Sequence, residues 1–597
     1  MILDSHFWPL TLLFAAISTG VFGLIAITGT TTRKAIIGGA IGTFIAALFL
    51  SRFVMYYYQP TFQGSFGGSF GGYFELIFCA LLPATVLGLV LNNVPGKTIL
   101  AAGATWLVFV TVPMVQYGYN AWGSGNAARF AAQAKIRVAS KDEKIPPTDP
   151  NKMVLVTKSI AAFKGATALT TQGNLNSTYM IDPNSYVLQA VNGRRYWIAP
   201  LQFANTGDSW NFGEPKSPGY VVVDAMDQNK EAVLKLDYQM TLFASGSFGL
   251  NLERFVYQHG YTDGLLIDAK FEVDDNWAPH WIMTYAKRPF GEITGREIEK
   301  VIVVDVSTAT PKLTAYKIGE QPEWIERVMP ESLIKEYVDN WGIWGGEYAR
   351  SNYWSVAFGW RKDGTMQAAD YDLNYTTDNH SVEVIPMTST RSGQHAVSGV
   401  LVYETTDNEA VYYPGLNGFN VGESVQETML HAPQNVKNYP VENVQLYSIY
   451  GELTWVAIYT SNQAVGRSFA GIGMLHAHGQ NSAEVIFAPD LNRALTLYAN
   501  QLAQKRMAGG NISQAAEKSH QINGVIKAIA YLPINQNLPT YLFMIEGDNR
   551  TFILTRETYA KAPLVEKGQH VTFTYLDTGS DELATGNFSA TELEVKK

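Results

Sequence analysis

The chain has 597 residues, with 44 basic and 53 acidic side chains and a net charge of −9. That length exceeds what one hydrophobic core supports and suggests roughly three to five domains. Charged residues make up 16%, and the deficit is concentrated at the N-terminus. Residues 1–118 hold only Arg33, Lys34, Arg52, Lys97, Asp4 and Glu75, a net of +2, leaving −11 for the rest. An anionic remainder of this kind is a poor candidate for binding nucleic acid or an anionic lipid surface. The single cysteine, Cys79, rules out an intrachain disulfide.

In chain order, four apolar runs come first: Phe7–Ile27, Ala35–Met55, Tyr73–Leu91 and Ile99–Tyr117. Each is close to the length that crosses a bilayer core, about 20 residues. The segment ahead of the first, MILDSH, has no basic residue, which is unlike a cleavable signal peptide. Residues 1–120 therefore read as a four-span transmembrane bundle. Arg33 and Lys34 after the first run, and Lys97 after the third, put those loops in the cytoplasm and both termini outside. The loop between the second and third runs contains GSFGGSFGG, and its aromatic residues Phe62, Phe66, Phe70 and Tyr73, with Tyr56–Tyr58, suit an interfacial girdle. Gly38, Gly39 and Gly42 suit close helix packing. Arg52 and Glu75 fall near the outer ends of adjacent spans and are expected to pair. Nothing in these spans reads as a transport pathway.

Residues 121–150 read as a juxtamembrane helix, Asn126–Ser140, followed by the Pro-rich linker KIPPTDPN. From there to about residue 488 the pattern is β-rich with interleaved helices, Pro330–Asn340 and Asp490–Lys505, grouped as α+β modules over 151–345 and 346–510. A motif recurs in which a Trp-bearing strand is followed by a second strand ending at a polar turn. The copies are Tyr196–Pro200 with Tyr220–Asp224, His280–Thr284 with Val301–Asp305, Tyr353–Phe358 with Gly399–Glu404, and Thr454–Tyr459 with Gly471–His476. The uneven spacing reads as duplication with insertions.

The hairpin closing on "VVVD, polar turn, Tyr" resembles PepSY-type extracytoplasmic modules. The larger arrangement, over about residues 150–500, resembles uncharacterised bacterial membrane proteins in which such modules follow a few N-terminal spans. The resemblance implies a non-catalytic extracytoplasmic region and carries over no functional residues. Residues 519–597 offer five short strands, as expected of a small OB-like β-barrel. The acidic end of that segment, with Asp577, Asp581, Glu582, Glu592 and Glu594, speaks against nucleic acid.

No P-loop, G-x-G-x-x-G, H-E-x-x-H or C-x-x-C motif occurs. His476 and His478 sit at strand spacing but lack a third metal ligand. Asp274 and Asp275, near His280, read as a turn flank. Trp324–Arg327 (WIER) and Trp341–Trp344 (WGIW) read as core. No catalytic, cofactor or metal residue is therefore assigned. The sequence leads to a multi-pass, non-catalytic, self-associating envelope protein, with the lipid bilayer, copies of itself and other envelope proteins as partners. The alternative is an enzyme or inhibitor acting on envelope polymers or exported proteins, with its site between modules. A convergent acid pair in a wide cleft would favour the alternative; a large apolar or interdigitated surface would favour assembly.

Overall fold

The computed structural model describes residues 8–27, 32–61, 70–91, 96–97, 99–107, 111, 126–173, 175–204, 216–287, 296–345, 365–369, 373–375, 381–390, 396–435, 437–463, 466–479, 481–507, 519–532, 540–548, 550–555, 561–576, 587–589 and 591–596. Three apolar helices open it: α1 (Trp8–Ile27), α2 (Arg33–Tyr57) and α3 (Phe70–Leu91). The first two are long and apolar enough to cross a membrane. Residues 99–107 are helical, and the remainder of the fourth expected run lies largely outside the described residues. Glycine earns its place at Gly39, where a Cβ would stand 2.3 Å from the Phe22 ring. Arg52 is buried, its guanidinium 4.9 Å from the centre of the Trp8 ring. The Glu75 side chain and most of the Phe62–Tyr73 girdle lie outside the described residues.

The region expected as one juxtamembrane helix divides. A short helix, α4 (Asn126–Ala131), gives way to strand β1 (Lys135–Val138). The alternation of Lys135 and Arg137 with Ile136 and Val138 suits an edge strand, and a neighbouring strand supplies the partner.

Beyond the linker the chain repeats one unit four times: a helix, then a four-stranded antiparallel meander. The first is α5 (Lys158–Thr171) with β2 (Val187–Val191), β3 (Arg194–Pro200), β4 (Tyr220–Asp224) and β5 (Val233–Lys235). The second is α6 (Leu252–Gln258) with β6 (Leu265–Val273), β7 (Pro279–Lys287), β8 (Glu297–Asp305) and β9 (Lys312–Lys317). The third is α7 (Glu331–Trp344), with β10 (Met366–Ala368) and β11 (Leu373–Tyr375) sharing the first-strand position, then β12 (Ser381–Ser389), β13 (Val397–Glu404) and β14 (Glu409–Tyr413). Strand β1 joins this sheet parallel to β14, with Lys135 bonded to Glu409. The fourth is α8 (Gly422–Leu430) with β15 (Val441–Ile449), β16 (Glu452–Gln463), β17 (Gly466–His476) and β18 (Ile486–Ala488).

The register fixes how the units correspond. Trp197, Trp281 and Trp455 all stand on the second strand, each between apolar partners: Leu188 and Val223, Phe271 and Val304, Leu446 and Leu475. In the third unit that position is occupied by β12, which has no tryptophan. The sequence motif had been placed on Tyr353–Phe358, which lies outside the described residues. The tryptophan tracks packing against two flanking strands, and the third unit fills that space differently.

Each unit packs on the next. One core joins the first and second sheets through Ile198, Tyr220, Phe271, Trp281 and Val304. A second joins the edge of the second sheet to α7 and the third sheet through Ile267, Leu333, Tyr337, Ile385 and Leu401. A third joins Val397 and Val400 to α8 and the fourth sheet through Phe419, Val425 and Trp455. The fourth unit returns to the first: Glu442 accepts from Thr157 and Ser159 at the start of α5, and Phe469 packs against the core beneath α5. The four units form a closed ring. Burial on this scale stabilises by about 1.5–3 kcal/mol per large apolar side chain.

Two appendages complete the chain. Helix α9 (Leu491–Met507), capped by Asp490 Oδ1 on the Arg493 N–H, covers the outer side of the fourth sheet with Leu495, Tyr498 and Leu502. Six strands follow: β19 (Ser519–Leu532), β20 (Thr540–Ile545), β21 (Thr551–Thr555), β22 (His570–Leu576), β23 (Asn587–Ser589) and β24 (Thr591–Lys596), in the order β23-β21-β20-β19-β22-β24. The five expected strands are present, the last falling as two, and among the described residues they do not close into a barrel.

Candidate functional site

A cavity of about 750 Å³ lies where the four units meet. The first contributes Lys158, Asp182, Tyr186, Trp197 and Gln202; the second Asp268, Lys270 and Phe271; the approach to α7 Arg327 and Glu331; the fourth Glu442, Asn443 and Gln445. It is therefore a property of the assembled ring.

Its wall is shaped by two equivalent β-bulges. On β6, Ile267 pairs with Thr284 and Lys270 with Ile282, so Asp268 and Ala269 oppose the single Met283. On β15, Glu442 pairs with Ile458 and Gln445 with Val456, so Asn443 and Val444 oppose Ala457. In both, the first bulged residue is left-handed, φ +52° at Asp268 and +55° at Asn443. Asp and Asn tolerate that conformation best among residues with a Cβ. In both, the residue two further on reaches back to it: Lys270 Nζ lies 3.0 Å from Asp268 Oδ2, and Gln445 Nε2 donates to Asn443 Oδ1 at 3.0 Å. The same device thus carries an ion pair in one unit and an amide pair in the other.

An ionic cluster runs from the cavity, where Glu331 is exposed, into the buried interior. Arg327 Nη2 donates to Glu331 at 2.8 Å and to Glu383 at 3.0 Å, and Glu383 is wholly buried. Burial opposes the Arg327 charge, but Glu383 and Glu331 more than offset it and hold the guanidinium protonated. Burial pushes Lys270 down, and Arg327 adds to this. Lys158 is lowered too, by burial first, although Glu331 and Asp182 oppose the shift. Burial, then the charge of Glu326, pushes the Glu272 carboxyl up to about 8. Glu272 is accordingly neutral near pH 7. Glu272 Oε2, Arg327 Nε and Glu383 Oε2 are buried without a hydrogen-bond partner. Such groups are costly, and they concentrate where a protein binds or reacts.

The residues singled out in the sequence fall elsewhere or take other roles. Asp274 forms a turn, its Oδ1 accepting from Asn276 and Ala278. The His476 and His478 rings lie 5.5 Å apart, with His476 Nε2 3.4 Å from Glu452. Among the described residues no group of three or more His, Cys, Asp or Glu is arranged to hold a metal ion. The WIER segment splits: Ile325 is core and Trp324 packs on His280, whereas Glu326 accepts from the Ala190 N–H and Arg327 faces the cavity. Lys270 and Glu272 were missed. The signal was present in Asp268-Ala-Lys-Phe-Glu272, three ionisable residues at alternate positions of an otherwise apolar strand.

No family model matches the chain, and no curated protein matches it. Among solved structures, an endo-arabinase from Bacteroides thetaiotaomicron VPI-5482 aligns at 9% identity over 51% of this chain and 74% of that one, with a TM-score of 0.15. A GH43 β-1,3-galactosidase aligns at 10% identity over 68% and 93%, with a TM-score of 0.17. Likeness at that level carries no argument about fold or activity.

Proposed function

We propose that this chain is a membrane-anchored binding protein whose four-unit ring, held on the outer side of the membrane, takes a polar ligand into its central cavity. The observation that carries the reading is the convergence of Lys158, Lys270, Arg327, Asp182, Asp268 and Glu331 on one open cavity, backed by buried charged groups with unpaired atoms. The sequence had made a convergent acid pair in a wide cleft the mark of an enzyme or inhibitor with its site between modules. The rival, lateral self-assembly, has less support. Beyond residue 120, the exposed large apolar side chains among the described residues are Val138, Met180, Val233, Phe248, Tyr531 and Leu564, each on a different element.

The anchor in this reading comprises four spans, with both termini outside. Its junction with the ring supports a rigid mount. Arg254 on α6 donates to the Tyr56 carbonyl in the last turn of α2 at 2.8 Å and lies 4.3 Å from the Tyr56 ring centre. That carbonyl lacks an intrahelical partner, and a cation there also complements the helix dipole. Tyr257 donates to the Pro60 carbonyl at 2.8 Å and packs with Phe14, Met55 and Ala80.

The test uses the full-length protein in mild detergent. Inorganic phosphate, tri-L-alanine, D-galacturonate and N-acetylglucosamine are titrated while thermal unfolding is followed. At least one should raise the melting temperature saturably, and Ala244→Trp, which fills the cavity from an exposed wall position, should abolish the shift. If no probe shifts the wild type, or A244W responds equally, the binding reading is wrong.

A further inference from the structure

We infer that the cavity reads a free carboxylate next to an amide, the chemistry of a peptide C-terminus, with Lys158, Lys270 and Arg327 on the carboxylate and the Asn443–Gln445 pair on the amide. The inference rests on the binding reading above and names its ligand class.

Three cations share this cavity, although like charges brought together and desolvated repel. Their partners do not fully account for them. The Lys158 ammonium donates to a neutral acceptor, the Asn184 carbonyl, at 2.9 Å. The Arg327 side chain is 8% exposed, and its Nε has no partner. Its two carboxylates, Glu331 and Glu383, are both bonded through Nη2. A guanidinium is a planar fork that accepts a further carboxylate through its remaining N–H groups. The acids around it fix the orientation of the cations and leave donor capacity for an incoming anion.

The second half follows from the duplicated bulge. Where the second unit carries Asp268 and Lys270, the fourth carries Asn443 and Gln445 in the same backbone conformation and with the same side-chain contact. Position for position, the ion pair has a neutral counterpart, Asn443 isosteric with Asp268 and the shorter Gln445 in place of Lys270. An amide pair presents both a donor and an acceptor without charge, which matches the N–H and C=O of a peptide bond. A ligand spanning both bulges thus meets an ion pair on the second unit and, beside Glu442, an uncharged amide pair on the fourth. The volume, about 750 Å³, lies within the range of small-ligand sites and suits a few residues rather than a single amino acid.

Calorimetric titration of the full-length protein in detergent tests this with three probes: tri-L-alanine, its C-terminal amide, and D-galacturonate, which has a carboxylate and hydroxyls but no amide. The free tripeptide should bind about tenfold or more tighter than its amide. Lys270→Gln should collapse that preference to within about threefold, and Lys158→Gln, at an exposed site less able to disturb folding, should reduce it in the same direction. Gln445→Ala should weaken both peptides alike and leave the preference intact. Equal binding of acid and amide by the wild type, or a preference unmoved by K270Q and K158Q, overturns the carboxylate assignment. Galacturonate binding as tightly as the tripeptide overturns the peptide assignment. In either case saturable binding that A244W removes leaves the cavity reading standing, whereas silence from every probe of the wider panel removes both.

Discussion

Glu272 is the residue whose chemistry departs furthest from its surroundings. Its folded-state pKa, about 8, lies above the ordinary 4.5. The folded protein therefore holds a proton that the unfolded chain releases between those values. The stabilisation is complete below about pH 4.5 and is lost as pH rises to about 8. Wild-type protein should lose melting temperature relative to Glu272→Gln as pH is raised from 5 to 8, because the amide cannot ionise. A constant difference across that range would contradict the burial of this carboxyl. Arg327 offers a second measurement. Arg327→Ala strands Glu383 as an unpaired buried charge and should cost about 3–5 kcal/mol in denaturant titration. R327L combined with Glu383→Leu should recover much of that loss, since both charges go together. Neither residue was legible as functional. Arg327 sits in an aromatic-rich stretch whose tryptophan and isoleucine do pack as core, and nothing local distinguishes a side chain that turns the other way. Glu383 lies in a strand, Ser381–Ser389, that the repeat motif did not reach.

At the level of elements, strand patterning was readable where it reports a local constraint. Three tryptophan strands fall in register because each must pack between two apolar neighbours in the same meander. The bulges were not readable. A bulge is set by pairing with a second strand, and an Asp or Asn within an apolar run is equally compatible with a regular edge. The juxtamembrane segment shows the same limit: alanine-rich Asn126–Ala131 is helical, but Lys135–Val138 takes a strand partner nearly 275 residues away, a long-range pairing that overrides local propensity. The bulge geometry has a direct consequence. Asp268→Val places a β-branched residue at φ +52° and should destabilise by about 1–2 kcal/mol more than Asp268→Gly, which loses the same carboxylate without the steric conflict. Equal losses in urea or thermal unfolding would mean that the backbone there is not left-handed.

For the molecule as a whole, the two N-terminal helices long and apolar enough to cross a membrane were legible from composition, and the ring was not, because no local pattern announces that the fourth unit returns to the first. Two outcomes follow at this scale. Protease added to spheroplasts should remove the region after about residue 120; protection until lysis would reverse the proposed topology. Glu442→Ala deletes the acceptor shared by Thr157, Ser159 and Arg467, which should weaken the junction by about 1–3 kcal/mol. Hydrogen exchange should then accelerate at residues 157–163 before it does in the third sheet; a uniform rise would mean that the junction is no weaker than the rest. That junction also has a history built into it. Thr157 and Glu442 are 285 residues apart. A ribosome adding about 5–20 residues per second needs roughly 15–60 s to cover that distance. Throughout that interval the nascent first unit presents its unmatched edge to water and to every chaperone in reach. The polar part of that edge, Thr157, Lys158 and Ser159, tolerates the wait, but Met153 and Leu155, which end in the core of the fourth sheet, are apolar surface that stays uncovered until Tyr447 and Val456 arrive.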